Sequence, residues 1–118
     1  MANILLIGFG GFLGAISRFL LNEIVIKYIP LNFPTGILIV NVLGCLFIGF
    51  ALGNSVILKD HLYYFLAVGF LGSFTTMSAF SYQTLELFNT NILIACSYII
   101  LTLTLTILAT YIGINFSK

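Results

Sequence analysis

Charged residues are scarce in this sequence. Of its 118 residues, 61% are hydrophobic and only 6% are charged. This composition indicates an integral membrane protein. The two cysteines, without a secreted domain around them, give no disulfide framework. The sequence also lacks a nucleophile paired with a base, a cluster of metal ligands and a phosphate-binding loop, so no enzyme activity is expected.

Four apolar stretches account for nearly the whole chain. They run over about residues 4–21, 35–52, 62–85 and 92–114. Each is long enough for the ~20 residues that a membrane-spanning helix needs. The first has no basic region before it and no cleavage site after it, so we interpret it as a retained helix and not as a signal peptide. We therefore predict an all-α membrane protein with one domain, residues 1–118, of four transmembrane helices.

The basic residues are divided evenly between the two sides of the membrane that four spans imply. Arg18 and Lys27 fall on one side, and Lys59 and Lys118 fall on the other. An excess of Lys and Arg in the short loops on one side sets membrane orientation. Equal numbers on the two sides therefore do not specify an orientation strongly. Either a weak bias selects one orientation, or both orientations are made and pair as an antiparallel homodimer.

Two Gly-x-x-x-Gly pairs allow helix backbones to approach closely. Gly10 and Gly14 form the first pair, and Gly49 and Gly53 form the second. Such pairs favour helix association in lipid. They are compatible with a subunit interface and equally with packing inside one subunit.

Small and hydroxyl residues interrupt the third apolar stretch. They are Gly72, Ser73, Thr75, Thr76, Ser78 and Ser81. Inside a bilayer, backbone groups freed from helical pairing are tolerated only where they are buried in protein or line a wet or ion-bearing cavity. If the helix unwinds near residues 72–75 and restarts at Thr76, its freed carbonyls can hold a cation and the new N-terminus can face an anion. The alternative is an ordinary bent helix whose hydroxyls bond back to carbonyls one turn earlier.

Polar residues also occur in the second and fourth stretches. Asn41 lies near the middle of the second, where its amide is either a functional group or one half of an interhelical hydrogen bond. Thr102, Thr106 and Thr110 recur every four residues and share one helical face. They either line a polar track or bond back to their own helix.

Taken together, these motifs resemble the three signatures of the Fluc (CrcB) fluoride channels. The resemblance is carried by Gly10 to Phe19 with Arg18 at the helix end, by Thr35-Gly36 with Val40-Asn41 and Gly44, and by Gly69 to Ser81. It implies a passive fluoride channel in the bacterial plasma membrane that exports cytoplasmic fluoride and protects against its toxicity. The implied assembly is a dual-topology antiparallel homodimer with two pores and a central structural sodium ion. The third helix would be broken in mid-membrane.

The resemblance also implies roles for individual residues. The backbone carbonyls of Gly72 and Thr75 would bind sodium. Arg18 would attract anions to the pore vestibule or bind the opposing subunit; the alternative is that its side chain only extends to the lipid headgroups. The fluoride pathway would comprise Asn41, Met77, Ser78, Phe80, Ser81, Thr102 and Thr106. Family members usually have two phenylalanines three residues apart on the third helix; Phe80 matches the second, whereas Met77 replaces the first. Gln83 stands where relatives often carry a glutamate.

Two other functions are compatible with four short spans. A small multidrug-resistance-type exporter can also assemble antiparallel, but it needs a membrane-embedded carboxylate in the first helix, and residues 4–21 contain none. A non-transporting accessory subunit would explain the glycine pairs but not the polar third stretch. The partners that we expect are a second copy, the bilayer and fluoride, with no nucleic acid.

Overall fold

The computed structural model describes residues 2–29, 33–53 and 61–117, and within these ranges the regular structure is entirely helical. Four helical segments are long and apolar enough to cross a membrane: Ala2–Tyr28, Thr35–Gly53, Tyr63–Phe88 and Ile92–Ser117. The prediction of an all-α protein is confirmed for these residues, as is the number of helical segments that are long and apolar enough to span a membrane. Lys59 and Lys118, the two basic residues predicted for one side of the membrane, lie outside the described residues.

The helices follow one another with short connections. α1 comprises Ala2–Tyr28 and α2 comprises Thr35–Gly53. The third span begins as a π-helix over Tyr63–Leu71, continues as the short α3 over Gly72–Phe74, and ends as α4 over Met77–Phe88. α5 comprises Ile92–Ser117. α1 continues beyond the apolar stretch read from the sequence, and Lys27 near its end lies over the ring of Tyr28.

Side-chain caps explain where the last helix begins. The Asn91 side-chain oxygen accepts a hydrogen bond from the backbone N–H of Leu93 at 2.9 Å and a longer one from Ile94 at 3.4 Å. Asparagine at this position satisfies donors that have no partner inside the first turn. The turn at residues 89–91 precedes this cap, and α5 packs against α4.

Two close-packed seams hold the four spans together. α1 packs mainly against the π-helix, and α2 packs mainly against α5. At Gly14 any added Cβ would collide with the backbone carbonyl of Phe70, and at Gly49 it would collide with that of Thr110. Both glycine pairs therefore serve packing within one chain, which answers the question that the sequence left open for them.

The third span is interrupted at Thr75 and Thr76. Thr75 has φ −78° and ψ 156°, and Thr76 has φ −146° and ψ 115°, so both residues are extended. Gly72 remains helical, with φ −61° and ψ −35°. The interruption is thus shorter than the expected unwinding over residues 72–75, and α4 begins at Met77. β-Branched residues such as threonine suit extended backbone, and contacts from α2 hold this pair in place.

Candidate functional site

A two-bond clamp between Asn41 and Thr76 fixes the interruption. The backbone N–H of Thr76 donates to Asn41 Oδ1 at 2.8 Å, and Asn41 Nδ2 donates to the Thr76 carbonyl at 3.1 Å. Asn41 is only 6% exposed. Unpaired backbone groups would be expensive at this depth in an apolar protein. The Asn41 side chain takes the place of the helical partners that Thr76 has lost.

Thr76 in turn caps the restarted helix. Its hydroxyl accepts a hydrogen bond from the backbone N–H of Ala79 at 3.1 Å, the geometry of an N-cap. The same hydroxyl lies 3.2 Å from the hydroxyl of Ser78. The N-terminus of α4, with its positive dipole end, is therefore held beside α2.

A cavity of about 200 Å³ opens beside the clamp. Its lining combines residues from α2, the third span and α5: Asn41, Cys45, Thr75, Thr76, Met77, Phe80, Thr102, Leu103 and Thr106. Five of the residues predicted for the ion pathway are thereby brought together, namely Asn41, Met77, Phe80, Thr102 and Thr106. Ser78 and Ser81 are not among the lining residues and are exposed on the surface of the chain.

The threonines of α5 differ in their hydrogen bonding. The Thr106 hydroxyl donates to the Thr102 carbonyl at 2.5 Å, and the Thr110 hydroxyl donates to the Thr106 carbonyl at 3.0 Å. The Thr102 hydroxyl is buried without any hydrogen-bond partner, in a residue that is 6% exposed. Thr106 and Thr110 therefore bond back to their own helix. Thr102 also lines the cavity, and its hydroxyl is the one of the three that is left unpaired.

Phe80 belongs to a buried aromatic group. Its ring centroid lies 5.1 Å from that of Tyr98, which is fully buried and also meets Phe33 edge to face at 5.4 Å. The Tyr98 hydroxyl donates to Gln83 Oε1 at 3.1 Å. Sequence reasoning missed Tyr98, although a tyrosine within an apolar span signals a hydroxyl that needs a partner. Gln83 supplies that partner.

The remaining predicted residues lie outside the cavity or at its edge. Met77 lines the cavity but is 70% exposed in the single chain. Gly72 is exposed, and Thr75 is half-buried with its methyl group against Gly44. Arg18 is half-buried on α1 and is not among the cavity residues.

The sequence predicted that the helix restarts at Thr76, but the capping role of the Thr76 hydroxyl was missed, as was the place of Cys45 in the cavity lining. Thr76 is followed by a helical run, the usual sequence signal for an N-cap. Cys45 lies one helical turn after Asn41, so it shares the face of α2 that meets the cavity.

Four apolar helical spans, one of them interrupted beside a small cavity, are the architecture of a multi-pass membrane protein. The chain belongs to the CrcB family, since the family model described as CrcB-like protein, Camphor Resistance (CrcB), matches residues 5–114. The predicted family is thereby confirmed. The match gives no support to the exporter or accessory-subunit alternatives.

Individual relatives are similar over nearly their whole length. The fluoride-specific ion channel FluC of Clostridium novyi (strain NT) is 41% identical over 113 residues, which cover 92% of this chain and 88% of the relative. A protein of the same name from Dehalococcoides mccartyi (strain BAV1) is 44% identical over 117 residues, covering 96% and 90%. That of Campylobacter jejuni (strain 81-176) is 43% identical over 114 residues, covering 94% and 93%. These relatives are named as channels, which confirms the prediction that the protein is not an enzyme.

Proposed function

We propose that this protein is a fluoride-selective passive channel that lets cytoplasmic fluoride leave a bacterial cell across its plasma membrane. The family and the names of the relatives supply the class of function. The structural observation that carries the proposal is the clamp between Asn41 and Thr76, which holds the N-terminus of α4 at the wall of the cavity. The positive end of the helix dipole favours an anion at that place.

Several hydrogen-bond donors face the same small volume. Asn41 uses one N–H of its amide on the Thr76 carbonyl, so the second remains available. α4 contributes the positive end of its dipole, and Thr102 would contribute its unpaired hydroxyl by turning its side chain toward the ion. Fluoride holds water more tightly than chloride does, so a narrow path must replace part of its hydration shell. Closely spaced neutral donors achieve this for a small anion and exclude a larger one by size.

The aromatic residue of the cavity extends the pathway. The edge of an aromatic ring is electropositive and can face an anion. Phe80, which lines the cavity and packs on Tyr98, is the ring that we assign to this role. Met77, at the position of the other usual phenylalanine, offers a flexible apolar thioether. In this proposal Met77 keeps the path open but binds fluoride more weakly than a ring edge would.

The working unit is an antiparallel homodimer in this proposal. Ser78 and Ser81 are exposed on a single chain, within a span that would face lipid. Hydroxyl groups and freed backbone are poorly accommodated by hydrocarbon, so a second copy is expected to cover this face and complete the pathway. The even division of basic residues between the two sides agrees with insertion in both orientations. Arg18 is assigned to the vestibule or to a tie between the copies.

The carbonyls of Gly72 and Thr75 are suited to hold a structural sodium ion between the two copies. The Thr76 N–H donates to Asn41 and not to the Gly72 carbonyl one turn earlier. Among the described residues, no backbone N–H beyond the interruption donates to the Thr75 carbonyl. Free carbonyl oxygens are the ligands that hard cations prefer. A cation there would neutralise converging carbonyl dipoles and join the copies.

Passive efflux from liposomes tests the proposed function. The purified chain is reconstituted at low density in vesicles loaded with fluoride or chloride, and valinomycin relieves the voltage. We expect fluoride release without chloride release. Equal release of both ions would contradict selectivity. Absence of fluoride release from this chain and from its Met77→Phe variant would contradict a self-sufficient fluoride channel.

Membrane orientation is tested separately from transport. A chain with Cys45→Ser, Cys96→Ser and Lys118→Cys carries a single thiol at its C-terminus. An impermeant maleimide added outside sealed cells should label about half of the copies if both orientations are made. Complete labelling or none would contradict dual topology.

A further inference from the structure

Two sulfur side chains line the cavity together. Cys45 stands one turn after Asn41 on α2, and Met77 directly follows Thr76 at the start of α4. Because Asn41 and Thr76 are joined by two hydrogen bonds of 2.8 and 3.1 Å, the clamp holds the backbone segments that carry Cys45 and Met77 beside one cavity. Cys45 is half-buried, whereas the other cysteine, Cys96, is exposed on α5.

We propose that Cys45 and Met77 form a binding site for a soft monovalent cation of the Ag⁺ or Cu⁺ type. Thiolate and thioether are the ligands that select such ions. Methionine has three rotatable side-chain bonds, so its sulfur can adjust to an ion held by the cysteine. This pairing exists because methionine occupies position 77, since a phenylalanine there would remove the second sulfur.

Thr102 lines the same cavity, and its buried hydroxyl has no hydrogen-bond partner. Rotation of this side chain toward the cavity would add an oxygen to an ion bound by the two sulfurs. Among the described residues there is no group of three or more His, Cys, Asp or Glu, so a borderline metal such as Zn²⁺ has no comparable set of ligands.

The charge balance of binding suits an apolar surrounding. The Cys45 S–H bond breaks, a bond between sulfur and the metal forms, and the proton passes to water. The Met77 sulfur adds a lone pair, and no electron is transferred. Since the monovalent metal ion replaces the proton of the thiol, the site remains neutral. No uncompensated charge is left beside the positive end of α4.

Occupancy has a consequence for transport. An ion held between the two sulfurs fills part of a cavity of only about 200 Å³, which is also lined by Asn41 and Phe80. Soft cations should therefore block fluoride efflux. The block rests on the proposed function, whereas the binding site does not, and the two are measured separately.

Binding is tested on the purified protein in chloride-free nitrate buffer. The Cys96→Ser variant, which retains Cys45 and Met77, should keep about one Ag⁺ per chain after gel filtration, measured by elemental mass spectrometry. The matched control is Cys45→Ser, which keeps the exposed Cys96 thiol without a methionine from this cavity beside it. Free cysteine is titrated into both as a competitor.

The comparison of the two thiols decides the proposal. At least about tenfold more free cysteine should be needed to remove Ag⁺ from the Cys96→Ser variant than from the Cys45→Ser control. Adding Met77→Leu to Cys96→Ser, a change that keeps volume, should abolish the difference. Equal competition in the two single variants, or no effect of Met77→Leu, would overturn the two-sulfur site. Matching gel-filtration profiles establish that each variant is folded.

Efflux is measured on the same variants, each relative to its own flux without metal. Ag⁺ should stop fluoride release from the Cys96→Ser protein and leave the Cys45→Ser, Cys96→Ser protein conducting. If Ag⁺ binds as described but fluoride still flows, the placement of the pathway is wrong and the binding site stands. If Ag⁺ blocks both proteins equally, the assignment to Cys45 is wrong.

Discussion

α2 takes part in two very different regions of the molecule. Toward its C-terminal end, Gly49 lies against the backbone of α5, with no room for a side chain. One to two turns earlier, Asn41 and Cys45 line a cavity together with Thr102, whose buried hydroxyl is unpaired. The first region is held by close contact of backbones, the second by hydrogen bonds to an interrupted helix. Substitutions should therefore damage assembly in the seam and conduction in the cavity.

The largest effect is expected in the seam. Replacing Gly49 by isoleucine places a side chain against the Thr110 carbonyl, and overpacking of this kind typically costs ~1–3 kcal/mol, occasionally more. The variant should give little monodisperse protein on gel filtration in detergent. Gly8→Ile is the matched control, because no atom lies within 4 Å of a Cβ at Gly8. Similar yields of the two variants would show that the seam is not close-packed.

Removing the clamp should give the largest loss of conduction. Asn41→Leu leaves the N–H and C=O of Thr76 unpaired, at about 1–3 kcal/mol for each group, and it removes an amide from the lining of the cavity. Fluoride flux per chain should fall by roughly 10- to 100-fold. Asn115→Leu, an exposed asparagine on α5, should conduct normally. Unchanged flux in Asn41→Leu would separate the clamp from function.

The two side chains at the usual phenylalanine positions should contribute unequally. Phe80→Ile removes a ring edge and its packing on Tyr98, so fluoride flux should drop by up to about tenfold. Met77→Ile exchanges one apolar side chain for another and should change flux by less than about twofold. Liposome efflux of both variants measures the difference. Equal and mild effects would remove Phe80 from the pathway.

The threonine face of α5 gives a smaller but sharper comparison. Thr102→Val removes the unpaired donor and should lower flux by about three- to tenfold. Thr106→Val removes a hydroxyl that is already committed to the Thr102 carbonyl and should have little effect. The same efflux assay compares the two. A larger loss from Thr106→Val would show that the back-bonded hydroxyl turns toward the ion.

The smallest effect concerns pH. Gln83 bonds to Tyr98 and cannot titrate, so we expect no pH step in fluoride flux from this position. Gln83→Glu should add one: the carboxylate repels fluoride at neutral pH, and flux rises as protonation neutralises it in acid. Efflux is measured across pH for both proteins, with leakage of HF through protein-free vesicles subtracted. Parallel profiles would place position 83 away from the ion path.

The sequence predicted the helical spans well because their signal is local. Composition alone determines that four segments are apolar enough to cross a membrane. The polar run from Gly72 to Ser81 also indicated an interrupted helix. The predicted unwinding over residues 72–75 was longer than the observed interruption at Thr75 and Thr76. The sequence did not show this limit, because the partner that holds the interruption is Asn41, 35 residues away in the sequence.

Other features were out of reach for a similar reason. Periodicity places Thr102, Thr106 and Thr110 on one face but does not show which hydroxyl bonds back to its helix. Nothing in the apolar run Tyr63–Leu71 distinguishes a π-helix from an α-helix. The aromatic group around Tyr98 depends on contacts with Phe33 and Phe80, which come from two other segments of the chain.

The clamp has a consequence for how the protein is made. Synthesis proceeds from the N-terminus, so α2 enters the membrane before the third span does. Asn41 is therefore already in the membrane when Thr76 arrives, and the interrupted helix meets its hydrogen-bond partner without waiting for α5. The order of the spans along the chain thus allows the N–H and C=O of Thr76 to be paired as soon as the third span is in place. Exchanging the order of the second and third spans would remove this early pairing even if every final contact were preserved.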